Sequence, residues 1–526
     1  MSSLHNLTET ILKLETEREL RDIIEDLRKI SANEKSEVVR KLIDISLEKA
    51  ENLNDKRSII FLLELKVRQI YNLSTSHKRI NLLMERIYQL SSSISFDIGF
   101  CLYYQLKWII EKFRGNKEES SKAIEIANKY ISKEIIDDEY VYYGCKYAYA
   151  LELWFNSRNL DSSYLLEECC QYFYSNDFYH GLVMSLGILT IIYQQTQNKE
   201  KSMDLTKKIL ERNDFLRNIS EEIKSIIHFF IGFSQELSFN LNLAEEHLNE
   251  TIRILRPIYK TSIYSSYYIT ALSYLTATNA LQGKLELAYN QMIDMDGLIE
   301  EGITIRNLDD FNKKQMKHIF NLTKFYIYSR LHSFESKDLL ELKQTILKNI
   351  SKYYSNSIFF SEFLLNAELT KEQLIEIKNL NTPSTKRVKH IINFLIEKTT
   401  NADEQSIINS ISELKRRPAK DRMTYEEKAF ADLLAAQEYY KLRRFSEIYP
   451  LLKKYKENLH RIEILELRIF MEAFIQIGAF KNGDPMGPAL QYVAIRKCRQ
   501  YGFSRLENKL LNYLELQHKD IIQSSL

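Results

Sequence analysis

The chain has 526 residues, with 73 Lys plus Arg against 71 Asp plus Glu, so its bulk field excludes general recruitment of nucleic acid or an acidic membrane. It holds only 13 Gly and 6 Pro, and residues 303–477 contain no Gly. A β-rich fold, which needs turn residues every 8 to 12 positions or so, is excluded. What remains is a helical chain too long for one compact core: several domains, or a repeat array that grows in one dimension.

Residues 1–94 read as amphipathic helices forming an N-terminal helical cap, with ISLEKAENLNDKRSIIFLLEL as a hairpin. The first residues, MSSLHNLTETILKLETE, lack a basic start followed by an apolar core, and no later run reaches the ~18 apolar residues of a membrane span. The five Cys (Cys101, Cys145, Cys169, Cys170, Cys498) are an odd number without a secretion signal, which points to reduced thiols. A cytoplasmic protein with no membrane partner is expected.

Residues 95–380 carry a repeat. Small residues recur at Ser120, Ser162, Ser202, Ala244 and Ala288, at intervals of 42, 40, 42 and 44 residues. Twelve residues before each stand Trp108, Ala150, Thr190, Gly232 and Thr276, four of them small, as close helix contact requires. Four residues after each, one turn onward on the same face, come Ile124, Leu166, Thr206, Leu248 and Met292. Turns are predicted at Gly115-Asn116-Lys117, Ser157-Arg158-Asn159 and Gln197-Asn198-Lys199. Phe239-Asn240-Leu241 and Gly283-Lys284-Leu285 continue the series, since Gly and Asn leave helical angles cheaply. Each unit is predicted to be an antiparallel helix hairpin.

Five of the six Pro lie beyond residue 380, and Pro383 and Pro418 bracket a polar stretch. A Pro-containing basic joint is predicted over 381–424, with Lys415, Arg416, Arg417, Lys420 and Arg422 around a Pro418 that cannot sit inside a helix. Exposed basic loops of this kind are preferred protease sites. Residues 425–526 return to the repeat: Ala436, Ile448 and Leu452 keep the same offsets, and Ala489 follows Ile448 by 41 residues.

A small residue at the closest approach of two antiparallel helices, with large apolar residues one turn away, resembles the tetratricopeptide repeat in an elongated form of about 40 to 44 residues. Of that family's fuller pattern, Gly232 and Pro257 stand near their places. The tail ALQYVAIRKCRQYGFSRLENKLL, with Gly502-Phe503 closing a helix, resembles the end of the helical sensor array of maltose-type bacterial transcription activators over roughly residues 425–515. The chain carries neither the ATPase nor the helix-turn-helix domain of those activators. The resemblances imply an all-α solenoid of antiparallel helix pairs.

Candidate chemistry is sparse. Neither GxxxxGK nor GxGxxG occurs, so nucleotide hydrolysis is not expected. Cys169-Cys170 with His180 suggests a metal site, but neighbouring helical residues point about 100° apart and a second Cys pair is missing, so buried thiols are the simpler reading. A thiol protease needs a Cys with a His brought beside it by the fold, and no local signature supports one. His228, His247, His318 and His332 lack acidic or thiol company at ligand spacing. Glu167-Glu168 and Asp137-Asp138-Glu139 are adjacent in sequence and therefore point apart. No catalytic residue, metal or cofactor is assigned, and the chain is expected not to be an enzyme.

Tyr is the distinctive residue, with 33 copies. Tyr140, Tyr143 and Tyr147 share one helical stripe continued by Leu151 and Trp154, and Tyr264 and Tyr267, beside Tyr268, extend the pattern in a later repeat. Rows spaced i, i+3, i+7 ordinarily form core. The competing reading is a concave groove that clamps a peptide, because Tyr offers large contact area at low entropy cost. The function expected is a protein- or peptide-binding adaptor or regulatory subunit. The alternative is a regulator or defence component acting on nucleic-acid machinery, reaching nucleic acid only through a partner or the basic joint, which would serve as switch or cleavage point.

Overall fold

One turn recurs along the chain and explains how so few glycines suffice. A residue with positive φ stands two positions before the next helix at Asn54, Ser95, Asp177, Phe239, Gly283 and Arg443. The amide that follows reaches back to the preceding helix: Asp55 N–H to Ala50 O at 3.1 Å, Asn240 to Gln235 at 2.9 Å, Lys284 to Asn279 at 2.9 Å, and Arg444 to Tyr439 at 2.9 Å. This is the Schellman closure, which satisfies carbonyls that a helix end leaves open. The left-handed angle costs a residue with a Cβ roughly 1–2 kcal/mol, so packing must hold it. At the Phe239-Asn240-Leu241 turn it is Phe239, ring buried, and not Asn240, that takes the strained angle.

The computed structural model describes the chain outside 1–9, 12, 34–36, 71–76, 115, 132–137, 157, 196–200, 202–203, 205–218, 260–264, 301–309, 332–336, 351–356, 381–384, 386–387, 401–402, 416–422, 485 and 514–526. Among the described residues the fold is all-α, with no strand. The first helices are α1 Glu17–Asn33, α2 Glu37–Asn52, α3 Lys56–Ile70, α4 His77–Ser93, α5 Asp97–Phe113, α6 Lys117–Ile131, α7 Glu139–Phe155, α8 Asn159–Ser175 and α9 Tyr179–Gln195. They are followed by α10 Glu221–Leu237, α11 Leu241–Leu255, α12 Ser265–Leu281, α13 Leu285–Glu300, α14 Asp310–Leu331, α15 Lys337–Asn349, α16 Ser357–Asn366 and α17 Lys371–Asn379. The last are α18 Lys389–Thr400, α19 Glu404–Lys415, α20 Tyr425–Lys441, α21 Phe445–Lys456, a 3-10 turn at Leu459–Arg461, α22 Leu465–Lys481 and α23 Gly487–Gln500. Residues 504–513 are also helical.

Two compact units divide the chain: unit 1 comprises 1–231 with 253–268 and 305–312, and unit 2 comprises 232–252, 269–304 and 313–526. The predicted joint at 381–424 lies inside unit 2. Within it α18 and α19 pack as a hairpin, with Ile391, Ile392, Phe394, Ile411 and Leu414 buried, while 416–422 lie outside the described residues.

In unit 1 each helix packs on the next, and α3, α5 and α7 also pack in series, the pattern of a helical solenoid. Helix α9 additionally meets α1, where Asn33 Nδ2 donates to Asp177 O at 2.7 Å and the His180 amide donates to Asn33 Oδ1 at 3.2 Å. The repeat positions sit as the spacing requires. Ser120, Ser162, Ala244 and Ala288 are all 0 % exposed; Ser202 and Thr206 lie outside the described residues. The twelve-residue offset is a physical bond, since the Ser120 hydroxyl donates to Trp108 O at 3.2 Å and the Ser162 hydroxyl to Ala150 O at 2.8 Å.

In unit 2 glycines let neighbouring helices approach closely. A Cβ on Gly232 would come within 2.8 Å of Leu248 Cγ, and one on Gly478 within 2.9 Å of the Tyr449 amide nitrogen. Ala436, Ile448 and Leu452 are fully buried. Ala489 departs from the expectation and is exposed. The turn after α22 is longer than its counterparts: Gly483 takes the left-handed angle, and the Met486 amide donates to Asp484 Oδ1 at 3.0 Å before α23 begins. The buried face of α23 is therefore Gln491, Ala494, Ile495 and Cys498.

Candidate binding cavity

The aromatic stripe of α7 is spent largely on packing. Tyr143 stacks on Tyr172 of α8 with centroids 4.2 Å apart and planes at 10°. Tyr147 meets Phe173 edge-on at 5.8 Å, Tyr140 meets Phe178 at 5.3 Å, and Trp154 leans on Phe155 at 5.1 Å. All four are half-buried. Burial pushes the Tyr140 and Tyr143 phenols up. Tyr267 packs on Phe229 at 5.0 Å and its hydroxyl donates to Met184 Sδ at 3.3 Å, whereas Tyr264 lies outside the described residues. Of the basic joint, Lys415 is the last residue of α19, and Arg416, Arg417, Lys420 and Arg422 lie outside the described residues.

Two buried charge knots brace this part of unit 1. The Arg28 guanidinium binds Asp138 at 2.7 Å and Glu25 at 2.6 Å and lies over the Phe61 and Tyr140 rings at 4.4 and 4.7 Å. Burial opposes its charge, but Asp138 and Glu25 outweigh burial and raise its pKa. Glu152 accepts from Ser121 Oγ at 2.6 Å, Trp108 Nε1 at 3.0 Å, Lys112 Nζ at 2.9 Å and Asn156 Nδ2 at 3.1 Å. Burial pushes this carboxyl up, and the Ser121, Trp108 and Lys112 donors together hold it below its usual range.

Unit 2 holds a cavity of about 320 Å³. Helix after helix presents to it residues spaced by one turn, the i, i+4 row of a single face: Tyr326 and Arg330 from α14; Ile358, Glu362 and Asn366 from α16; Phe394 and Lys398 from α18. Helix α20 gives Phe430, Leu434, Glu438 and Lys441. Glu466 and Phe470 come from α22, and Arg505, Lys509 and Tyr513 from 504–513. Helix α20 is buried on all sides, as its AFADLLAAQEYY run requires, and starts at a capping box in which Thr424 and Glu427 exchange hydrogen bonds of 3.2 and 2.7 Å.

At the cavity's base Arg330, 5 % exposed in its side chain, is bound by Glu466 at 2.6 Å and Glu362 at 3.1 Å, with its guanidinium 3.4 Å from the Tyr326 ring centroid. Burial works against this charge, and Glu466 leads the groups that reverse the effect and raise the pKa. Glu438, almost fully buried, accepts from Lys398 at 3.1 Å and Lys441 at 2.8 Å. Arg505 donates to Asn366 Oδ1 at 2.8 Å, and Asn366 Nδ2 donates to Glu362 at 2.9 Å. The Lys509 ammonium stands 4.7 Å from the Phe470 centroid.

None of these eight charged side chains (Arg330, Glu362, Lys398, Glu438, Lys441, Glu466, Arg505, Lys509) was singled out from the sequence. The available signal was a charged residue one turn from an apolar one, as in Phe394/Lys398 and Glu466/Phe470, which on any one helix reads as the edge of an amphipathic face. Elsewhere Leu490 and Val493 of α23 are exposed about one turn apart, as is Met486 just before the helix. Burial pushes the Cys169 and Cys498 thiols up to about 12, so both stay protonated at neutral pH. Among the described residues no group of three His, Cys, Asp or Glu stands close enough to hold a metal ion, and no helix is long and apolar enough to cross a membrane. Compared with known proteins, the chain matches no family model and no curated protein.

Proposed function

We propose that this chain is a binding protein, an adaptor or regulatory subunit that holds a segment of a protein or peptide partner in its helical array. The observation that carries this reading is the unit 2 cavity, whose apolar walls such as Phe394, Phe430 and Phe470 alternate with charged side chains such as Arg330, Glu438 and Glu466. The resemblance to tetratricopeptide arrays and to activator sensor arrays agrees with a binding role, and the apolar row on α23 adds a second surface suited to a protein partner.

Short peptides selected from a random display library against the full chain test it. Filling the cavity with Leu434→Trp should weaken the selected peptides by about tenfold or more, equivalent to roughly 1.4 kcal/mol, at an unchanged melting temperature. Peptides that bind the filled variant as well as the original chain would show that the cavity is not where partners are held.

A further inference from the structure

Helix α20 buries the polar side chains Glu427, Asp432, Gln437 and Glu438. Three of them are bonded: Glu427 closes the capping box with Thr424, Asp432 accepts from the Tyr455 hydroxyl at 2.7 Å, and Glu438 accepts from Lys398 and Lys441. The fourth is not. Gln437 is 8 % exposed, and its carboxamide has no hydrogen bond among the described residues. It lines the cavity one turn beyond Leu433 and Leu434 and two turns beyond Phe430, on the face of α20 that forms the wall. Asn366, a second side-chain amide in the wall, is engaged on both sides, accepting from Arg505 and donating to Glu362.

An enclosed polar group without a partner costs the fold, and one that opens into a cavity is completed by what the cavity holds. A carboxamide offers N–H donors and a C=O acceptor side by side, the complement of a peptide group with its single N–H and C=O.

We propose that the cavity grips its partner by the main chain, with the Gln437 carboxamide bonded to one peptide group of an extended segment and the apolar wall of Phe394, Phe430 and Phe470 enclosing the side chain beside it. This rests on the binding role proposed above and names both the group recognised and the form of the segment. A helical partner does not suit the site, because inside a helix the N–H and C=O groups are already bonded to one another. Main-chain bonds give affinity without regard to residue identity, and the apolar wall adds a preference for one large apolar side chain. A volume of about 320 Å³ is at the low end for ligand pockets and limits the enclosed part to a short stretch.

The test uses the full chain and the tightest of the peptides selected against it, remade with each main-chain amide in turn replaced by an ester, which removes the N–H and weakens the carbonyl as an acceptor. In the original chain an ester at one position should weaken binding by about fivefold or more. Gln437→Leu should weaken the all-amide peptide by a similar factor, and the ester at that position should then add no further loss. The melting temperature of this variant should be unchanged or slightly higher, since no hydrogen bond within the chain is broken. Ester losses that are the same in both chains at every position would overturn the proposal, as would a Gln437→Leu variant that binds the all-amide peptide as tightly as the original chain. A clear fall in its melting temperature would make Gln437 a structural residue and overturn it too. Leu434→Trp separates the two readings. A peptide weakened by Leu434→Trp but with equal ester losses in both chains leaves the cavity as the binding site and removes only the grip of Gln437. A peptide indifferent to Leu434→Trp, or a selection that yields none, removes the cavity and the grip together.

Discussion

Unit 1 and unit 2 both close their buried charges upon themselves, but unit 2 adds half-exposed charges at a cavity. In unit 1 the charges are closed upon themselves: Arg28 between Asp138 and Glu25, Glu64 with Arg68, Glu152 among four donors. In unit 2 Arg330 with Glu362 and Glu466, and Asp432 with Tyr455 and Lys454, are closed in the same manner, whereas at the cavity the buried Glu438 is shared by the half-exposed Lys398 and Lys441. A matched buried charge fixes how helices meet and leaves nothing for a ligand. A charge left partly in solvent at a cavity's edge costs the fold little and stays within reach of what enters.

The strongest way to break the contrast is to open a closed knot. Glu152→Ala would strand Lys112 and the Trp108 N–H in the interior and should cost about 3–5 kcal/mol, read as a large fall in the chemical-denaturation midpoint of unit 1. A loss under about 1 kcal/mol would mean that the knot behaves like a surface pair. Next in size is His318, buried and held neutral, with burial lowering its pKa to about 4. The folded state then binds no proton where the unfolded chain, near 6.5, does. Stability contributed by this group is full above pH 6.5 and is lost as pH falls toward 4, by about 3 kcal/mol in all. His318→Gln should flatten the stability profile across that window.

Much of the architecture was legible because it is local and periodic. The spacing of Ser120, Ser162, Ala244 and Ala288 encodes an approach of two helices that the Ser120 and Ser162 hydroxyls then bond across. Ala489 was misplaced because Asp484 and its neighbours lengthen a turn, and a shift of two residues carries a helical position from the buried face to the exposed one. The stretch 381–424 reads as a joint because Pro383 and Pro418 bracket polar, basic sequence, while within it Phe394 and Leu414 are buried on helices that pack together. The cavity was illegible for a different reason. Its charges come from helices as far apart in sequence as Arg330 and Lys509, and no pattern within one helix announces that their faces converge.

Tyr143 and Tyr147 sharpen the comparison at smaller scale. If the α7 stripe is core, replacing either with Ala should cost about 1–2 kcal/mol, since each ring is half-buried and packs on aromatic neighbours. Capture of cavity-selected peptides should be unaffected at temperatures where the variant is folded. Weakened capture at unchanged stability would restore the groove reading of these tyrosines.

The smallest effect concerns Lys509 at the cavity. Lys509 is disfavoured as a cation in the folded protein, so Lys509→Gln should leave the melting temperature at pH 7 unchanged or raise it slightly, the reverse of Glu152→Ala. The sign can be followed with pH. Between about 8, its folded value, and the ordinary lysine value near 10.4, the unfolded chain holds a proton that the folded chain has released, so stability rises with pH across that window. The difference between the original chain and Lys509→Gln should grow in the original chain's favour over the same range. A variant that melts well below the original at pH 7 would show that Lys509 is a structural partner like Lys112, and the contrast between the units would disappear.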